Sequence, residues 1–156
     1  VGTHARDKDG VVAAMLISEM AAYYHDKDMS LYDALIDLYN RVGYFKEDMI
    51  SLTLSGIAGL EKIKDIMEYY RVNGMDEIAG INVIEVKDYS KGIDGLPKSN
   101  VLKFILEDSS WVAARPSGTE PKLKFYMGTF GENINESNEK SDAIKKYLQE
   151  SINKLI

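Results

Sequence analysis

Two stretches near the start of the chain repeat apolar residues at helical spacing. The first follows Asp7 or Asp9, either of which can cap a helix, and runs to about Tyr24. The second opens on Ser30 and Asp33, which form a capping-box pattern, and ends at a glycine. The apolar positions of the two stretches are Val12, Met15, Leu16, Met20, Tyr23, Leu31, Leu35, Leu38 and Tyr39. Two amphipathic helices need a partner to cover both apolar faces, so we expect them to be the helical tail of a truncated α/β domain.

The next stretch, residues 44–54, alternates apolar and polar side chains as a half-buried strand does. A third helix opens at Ser55 and stops at Gly74. Its apolar stripe consists of Ile57, Leu60, Ile63, Ile66, Met67 and Tyr70. We place the domain boundary between the strand and this helix. Residues 1–54 are then expected to be the C-terminal remnant of an α/β domain, with helices plus a strand, and residues 55–156 a separate domain.

Four further strands are predicted after the third helix. Asp108, Ser109 and Ser110 have the composition of a tight turn, so the second and third of these strands should form a hairpin. In the fourth strand, apolar residues alternate with Lys122, Lys124 and Tyr126, which indicates one buried and one open face. The predicted strands are 78–89, 101–107, 111–115 and 122–130.

A final helix is predicted near the end of the chain, after a polar tract over 131–138 that breaks the pattern. Its apolar residues are Ile144, Tyr147, Leu148, Ile152 and Leu155. The order of helix, four strands and helix predicts an α+β fold: a four-stranded antiparallel sheet with both helices on one face.

Composition narrows the class of protein. With 156 residues, 45% of them hydrophobic and 28% charged, the chain resembles ordinary soluble domains. No apolar run is long enough to span a bilayer and no signal-peptide pattern opens the chain, so we expect no membrane partner. The absence of cysteine excludes disulfides and thiolate metal sites and fits a cytoplasmic protein. A net charge of -6, with both signs mixed along the chain, argues against a nucleic-acid surface. The chain opens without a methionine and inside an apparent loop, so we expect it to be a fragment of a longer protein.

The stretch AARPSGTEPKLKFY, residues 113–126, concentrates groups that suit a phosphate. Arg115 carries a planar fork of donors that matches two phosphate oxygens. Ser117 and Thr119 add hydroxyls, and Gly118 can take a positive φ and let backbone N–H groups approach an anion. The alternative is that the prolines and glycine only form a turn between two strands. The loop is not a Walker loop, because that glycine and lysine spacing is absent.

A second basic cluster, formed by His4, Arg6 and Lys8, precedes the first helix. Positive charge at a helix N-terminus is unfavourable unless an anion binds there, although a frayed terminus would explain it equally well. Metal ligands are not predicted: two histidines are too few, and the nearby carboxylates lack the spacing of a calcium-binding loop. Those carboxylates are Asp26, Asp28, Asp33 and Asp37.

Taken together, the two basic motifs resemble those of one enzyme family. The segment from Arg115 to Lys122, RPSGTEPK, resembles the C-terminal phosphate-binding loop of the α-D-phosphohexomutases, the phosphoglucomutase and phosphomannomutase family. The segment RDKDG, from Arg6 to Gly10, is similar to the stretch that follows the sugar-binding loop in the third domain of the phosphoglucomutase branch. The resemblance covers nearly the whole chain.

The resemblance implies three α/β domains followed by a smaller C-terminal domain. Such enzymes interconvert glucose 1-phosphate and glucose 6-phosphate, or the mannose phosphates, through a phosphoserine and a bisphosphorylated sugar. It implies that Arg115, Ser117, the Gly118 backbone and Thr119 hold the substrate phosphate. Glu120 and Lys122 would support that loop.

By the same resemblance, Lys8 would line the sugar site as an acid/base or charge-stabilising group, with Arg6 and His4 beside it. The nucleophilic serine, the magnesium loop and the sugar loop would lie on missing N-terminal domains. Mg²⁺ and glucose 1,6-bisphosphate would therefore serve the full-length enzyme, with no metal ligand in this chain. We expect the isolated chain to be inactive and its uncovered helices to favour self-association. Because the sugar loop would lie outside this chain, glucose, mannose and pentose phosphates stay open as substrates, and RDKDG favours glucose among them.

A second hypothesis from a different class remains open. The α+β domain could be a non-enzymatic module that senses a phosphorylated metabolite, with the N-terminal helices as an interaction surface. A nucleophile loop and a metal loop upstream in the parent protein would favour the enzyme over the binding module, and a short or unrelated upstream region would favour the module.

Overall fold

A computed structural model describes residue 5, residues 8–93 and residues 95–156 of the chain. The chain divides into two compact units, Val1–Gly43 and Tyr44–Ile156. Within the described part, none of the helices is both long enough and apolar enough to cross a membrane.

The first unit contains helices α1, Gly10–His25, and α2, Leu31–Val42. Asp9 caps α1, because its carboxylate accepts a hydrogen bond of 2.9 Å from the backbone N–H of Val12; the alternative cap, Asp7, lies outside the described residues. The capping box of α2 forms as predicted, with Ser30 and Asp33 each accepting from the other's backbone N–H. No residue of either helix is buried, and the exposed apolar side chains include Val11, Met15, Leu16, Ile17, Met20, Tyr23, Tyr32, Leu35, Leu38 and Val42.

The second unit is built on one antiparallel sheet of six strands in the order β1-β6-β5-β4-β3-β2. The strands are β1 Tyr44–Thr53, β2 Glu77–Ile78, β3 Ile81–Asp88, β4 Leu102–Leu106, β5 Trp111–Pro116 and β6 Lys122–Gly131. Helix α3, Gly56–Asn73, follows β1, helix α4, Ile134–Asn153, follows β6, and a 3₁₀ turn, Tyr89–Lys91, follows β3. The predicted α+β class is confirmed, but the sheet has two strands more than expected.

The first additional strand, β1, pairs antiparallel with β6 from Tyr44 opposite Gly131 to Thr53 opposite Lys122. We had assigned this strand to the first domain, whereas the structure makes it the edge of the second unit's sheet, and the compact units divide between Gly43 and Tyr44. The alternation of side chains shows that a strand forms but not which strand it joins, because pairing is decided by contacts distant in sequence.

The second additional strand arises because residues 78–89 are not one strand. Ala79 and Gly80 both have positive φ, 54° and 79°, and turn the chain back so that β2 pairs with β3 as a short hairpin. The β4–β5 hairpin forms as predicted, and its turn places Ser109 at a φ of 70°.

Helix α4 begins inside the polar tract 131–138, where we had expected a break. The side chain of Asn133 caps it by accepting from the backbone N–H groups of Asn135 and Glu136. Ser137 and Ser141 then face the core, where small residues are needed because helix and sheet come close: a Cβ on Gly131 would lie 2.6 Å from the backbone nitrogen of Ser137.

Helices α3 and α4 pack on one face of the sheet, as predicted, and share a single core with it. Tyr70 of α3 reaches Ser151 of α4 through a hydrogen bond of 2.9 Å. The buried core consists of Ile63, Ile66, Met67, Tyr70, Ile78, Leu102, Phe104, Leu106, Val112, Ala114, Leu123, Phe125, Met127, Ile144, Leu148 and Ile152. The opposite face of β5 and β6 carries Trp111, Ala113, Arg115, Lys122, Lys124 and Tyr126, none of which is buried. We call this the open face.

Candidate anion-binding site

The candidate loop connects β5 to β6 at one end of the open face. Arg115 of β5 lies directly opposite Lys124 of β6, so two cations face each other across neighbouring strands. Like charges in this arrangement are destabilising when nothing lies between them. Among the described residues, neither side chain has a hydrogen bond or ion pair. The arrangement is therefore one that an anion would stabilise.

The first half of the loop is organised around Ser117. Its backbone N–H donates to the Lys122 carbonyl at 2.8 Å, which closes the loop between the strands. Its hydroxyl oxygen accepts long hydrogen bonds from the backbone N–H groups of Thr119, at 3.4 Å, and Glu120, at 3.3 Å. The hydroxyl proton remains available to donate. Within the described structure, the Gly118 N–H has no hydrogen-bond acceptor.

The second half of the loop is anchored to the rest of the unit. The Pro121 carbonyl accepts a hydrogen bond of 2.9 Å from the backbone N–H of Leu54. Helix α3 passes so close that a Cβ on Gly59 would lie 2.8 Å from the Leu54 Cβ and 3.4 Å from the Pro121 Cβ. The lack of a side chain at Gly59 thus lets the start of α3 hold the loop in place.

A cavity of about 410 Å³ lies between the loop and the open face. Its lining residues are Met49, Ser51, Arg115, Pro116, Ser117, Gly118, Glu120, Lys122, Lys124 and Tyr126. Three of them are cations and one, Glu120, is a carboxylate. Glu120 makes an ion pair with Lys122 over 3.1 Å. An excess of positive charge, the hydroxyls of Ser51, Ser117 and Tyr126, and the N–H of Gly118 give this pocket a chemistry that suits a small anion.

The structure brings most of the predicted loop residues together. Arg115, Ser117, Gly118, Glu120 and Lys122 all line the cavity, and Thr119 does not, since it lies exposed at the loop tip. The conformation of Gly118 corrects one expectation: its φ is not positive, and a Cβ on it would meet nothing within 4 Å. The loop backbone therefore does not require glycine there.

Of the second predicted cluster, His4, Arg6 and Lys8, the structure describes only Lys8. His4 and Arg6 lie outside the described residues. Lys8 is described and belongs to the first unit, separate from the unit that carries the loop. Its role remains a prediction.

Five lining residues were not among the predicted site residues: Met49, Ser51, Pro116, Lys124 and Tyr126. Pro116 belongs to the predicted loop itself. Lys124 and Tyr126 alternate with buried residues along β6, so the period-two pattern placed them on the loop's side of the sheet without showing that they reach the same pocket. Met49 and Ser51 come from β1, and only its pairing with β6 brings them there. No local sequence signal could have identified these two.

The carboxylates of the described residues do not suit a magnesium site. No group of three or more histidine, cysteine, aspartate or glutamate side chains among them could hold a metal ion. Asp48 is engaged by Lys145, whose hydrogen bond holds the pKa of that carboxyl below its usual value. In the pocket itself Glu120 is the one carboxylate, whereas Mg²⁺ prefers several oxygen ligands in octahedral geometry.

The sequence of the chain is similar to those of one group of enzymes. A family model described as "Phosphoglucomutase/phosphomannomutase, C-terminal domain" matches residues 56–137. Similar curated proteins include the phosphoglucomutases of Staphylococcus saprophyticus, 34% identical over 150 residues, and Staphylococcus aureus strain MSSA476, 35% identical over 150 residues. Both alignments cover 89% of this chain, which spans 27% of the length of either relative.

One solved structure is similar over nearly the whole chain. It is the open form of parafusin, an exocytosis-sensitive phosphoprotein and phosphoglucomutase of Paramecium. The TM-score is 0.63 with 18% sequence identity, and the match covers 94% of this chain and 26% of parafusin. At this identity the likeness concerns the fold.

Proposed function

Because this chain belongs to the phosphoglucomutase/phosphomannomutase family through its C-terminal domain, we propose that its β5–β6 loop and open face hold the phosphate of a hexose phosphate. One observation carries the proposal: Arg115 and Lys124 face each other across two strands with no anionic partner in the described structure. A phosphate between them would relieve the repulsion and be met by both cations.

The residues of the pocket would make different kinds of interaction with the phosphate. The Arg115 guanidinium can donate two parallel hydrogen bonds to phosphate oxygens, whereas Lys124 supplies a point charge. The Ser117 hydroxyl and the Gly118 N–H, both at the pocket wall, add neutral donors. Thr119, exposed at the tip, would join them when the loop closes over the anion. These groups position the phosphate and exclude water, which contributes to catalysis by orientation.

The whole protein would be a phosphohexomutase. We propose that it interconverts glucose 1-phosphate and glucose 6-phosphate through a phosphoserine, with glucose 1,6-bisphosphate and Mg²⁺ as cofactors held by residues outside this chain. The naming of the relatives as phosphoglucomutases supports glucose over mannose. Lys8, with His4 and Arg6, would line the sugar site and act as an acid/base or charge-stabilising group. The chain alone, without the nucleophile, should show no turnover.

Titration of this chain with inorganic phosphate and with glucose 6-phosphate, followed by amide NMR shifts, tests the site. The amides of residues 117–120 should shift. Arg115→Ala should weaken binding by roughly 10- to 100-fold, the loss of a charge-assisted contact. Arg41→Ala is the matched control, since Arg41 lies in the first unit and pairs with an exposed Asp37. Absent shifts, or equal losses in both variants, would contradict the proposal.

Activity requires a separate measurement on the full-length protein. Turnover with glucose 1-phosphate should exceed turnover with mannose 1-phosphate, and Arg115→Ala should mainly raise KM. Measurable mutase turnover by the purified chain would overturn the proposed division of roles.

A further inference from the structure

The pocket proposed for phosphate contains a carboxylate of its own. Glu120 lines the cavity, and its Oε2 lies 3.1 Å from the ammonium nitrogen of Lys122. A carboxylate and a phosphate are both oxygen anions that accept hydrogen bonds from lysine. The Glu120 carboxylate therefore pairs with one of the cations that a phosphate would use.

The backbone brings these two side chains together. The N–H of Lys122 donates to the Glu120 carbonyl at 2.7 Å, which forms a tight turn around Pro121. The ring of Pro121 restricts φ at the centre of this turn, and the Leu54 N–H holds its carbonyl. Because the turn is anchored, little backbone entropy is lost when the ion pair forms. The side chains stay partly exposed, at 35% for Lys122 and 57% for Glu120, so the pair can open into solvent.

The pairing is selective within the pocket. Of the three cations that line the cavity, Lys122 alone has a carboxylate within ion-pair distance among the residues described. Arg115 and Lys124 remain open to a ligand. An arriving phosphate thus meets two unpaired cations, a third that is already neutralised, and a negative charge that repels it.

We propose that Glu120 limits the affinity of the loop for phosphate: its carboxylate is exchanged for the ligand phosphate on Lys122 and returns when the ligand leaves. The inference rests on the proposed function and adds to it a residue that tunes affinity. A mutase must release a phosphorylated sugar from this loop in every cycle, and product release sets the rate of many enzymes. An internal anion that replaces the ligand favours release without any change in fold.

Glu120→Gln removes the charge and keeps the shape of the side chain. In phosphate titrations at fixed ionic strength, this variant should bind inorganic phosphate about three- to tenfold more tightly than the wild-type chain, the scale of one partly screened charge at close range. Glu120→Ala should also tighten binding, whereas Glu120→Asp, which keeps the charge, should not. Damage to the loop would weaken binding, so a gain in affinity separates the proposed role from a structural one.

Glu139→Gln serves as the control for net charge. Glu139 is exposed on α4, which packs on the face of the sheet opposite the pocket, and its neutralisation should leave the phosphate affinity unchanged. Equal or weaker binding by Glu120→Gln, with wild-type binding intact, would overturn this inference alone. If the wild-type chain binds no phosphate, both the inference and the proposed site are wrong.

Discussion

The indole of Trp111 lies against Gly128, its partner on the neighbouring strand. The two residues are directly opposite in the β5–β6 ladder, and a Cβ on Gly128 would lie 2.4 Å from the Trp111 Nε1 and 2.6 Å from its Cε2. The ammonium of Lys103 lies 4.5 Å from the centre of the ring. Gly128, which has no side chain, therefore leaves room for the indole on the open face, at the opposite end of β5 from the loop.

Gly128→Ala should displace the indole from the sheet. The added methyl meets rigid ring atoms, so we expect a loss of about 1–3 kcal/mol in the free energy of unfolding, typical of overpacking. Because Trp111 is the single tryptophan of the chain, its fluorescence spectrum should shift with the substitution. Urea unfolding followed by fluorescence checks both effects. An unchanged spectrum with unchanged stability would mean that the ring does not rest on Gly128.

Gly118→Ala should behave in the opposite way. Nothing lies within 4 Å of a Cβ at this position and its φ is not positive, so the free energy of unfolding should change by less than about 0.5 kcal/mol. Because Gly118 lines the cavity, the added methyl group should take up room beside a bound phosphate, so phosphate affinity should fall. Calorimetry and phosphate titration on the same sample separate the two effects. Unchanged affinity would show that the anion does not approach the loop here.

Lys140→Met should loosen the start of α4. The Lys140 ammonium donates to the Phe130 carbonyl at 2.9 Å and pairs with Asp108 at 3.0 Å and Glu136 at 2.9 Å. Its loss leaves partly buried acceptors without their donor, which should lower the free energy of unfolding at neutral pH by about 1–3 kcal/mol. Lys146→Met, at an exposed position of the same helix, is the control and should have little effect.

The ion pairs of Lys140 should make the free energy of unfolding depend on pH in the acid range. Burial opposes the charge of Asp108, but the Ser110 N–H and the Lys140 ammonium together hold the pKa of this carboxyl below its usual value. A depressed pKa in the folded state contributes stability above the unfolded pKa, about 3.9 for aspartate, which is lost as the pH falls through the folded value. The stability difference between wild type and Lys140→Met should therefore narrow below about pH 4, leaving the part that comes from the Phe130 carbonyl, which does not titrate. A difference that stays constant down to pH 2 would exclude this pair as its source.

The helices of the first unit should promote self-association of the chain. Their apolar side chains are exposed, for example Met15 at 67% and Tyr32 at 65%. Exposed apolar surface of this kind favours contact between copies. Sedimentation equilibrium should show an average mass that rises with concentration, and Met15→Glu should reduce the rise. A strictly monomeric chain at high concentration would contradict the prediction.

Helix ends were predictable because their signals are local. Ser30 with Asp33, Asp9 and the glycine at position 74 each act through hydrogen bonds within a few residues, and the structure places helix ends at all of them. The start of α4 was missed because its cap, Asn133, lies in a polar tract in which only the small residues Gly131 and Ser137 are buried, so no apolar pattern marks the first turn.

The loop could be recognised from sequence for the same reason. A guanidinium, hydroxyls and a glycine between two prolines are adjacent in the chain, so their chemistry is visible without a fold. What the sequence could not show is that Lys124 stands opposite Arg115, because register depends on pairing between strands. The sequence likewise could not determine the φ of Gly118, because glycine permits a positive φ without requiring it.

The sequence by itself determined which segments become helices, which strands alternate between core and open face, and which loop carries anion chemistry, because these properties depend on neighbours along the chain. Only the tertiary structure decided that β1 joins β6, that β2 folds back on β3 and that Trp111 covers Gly128. The first and last of these are contacts between residues distant in sequence, chosen by total burial and hydrogen bonding of the whole sheet. The β2–β3 turn is local, but it needs a positive φ at Ala79, which an alanine does not signal. The pocket combines both kinds of information, with a loop visible in the sequence and walls supplied by the pairing of strands.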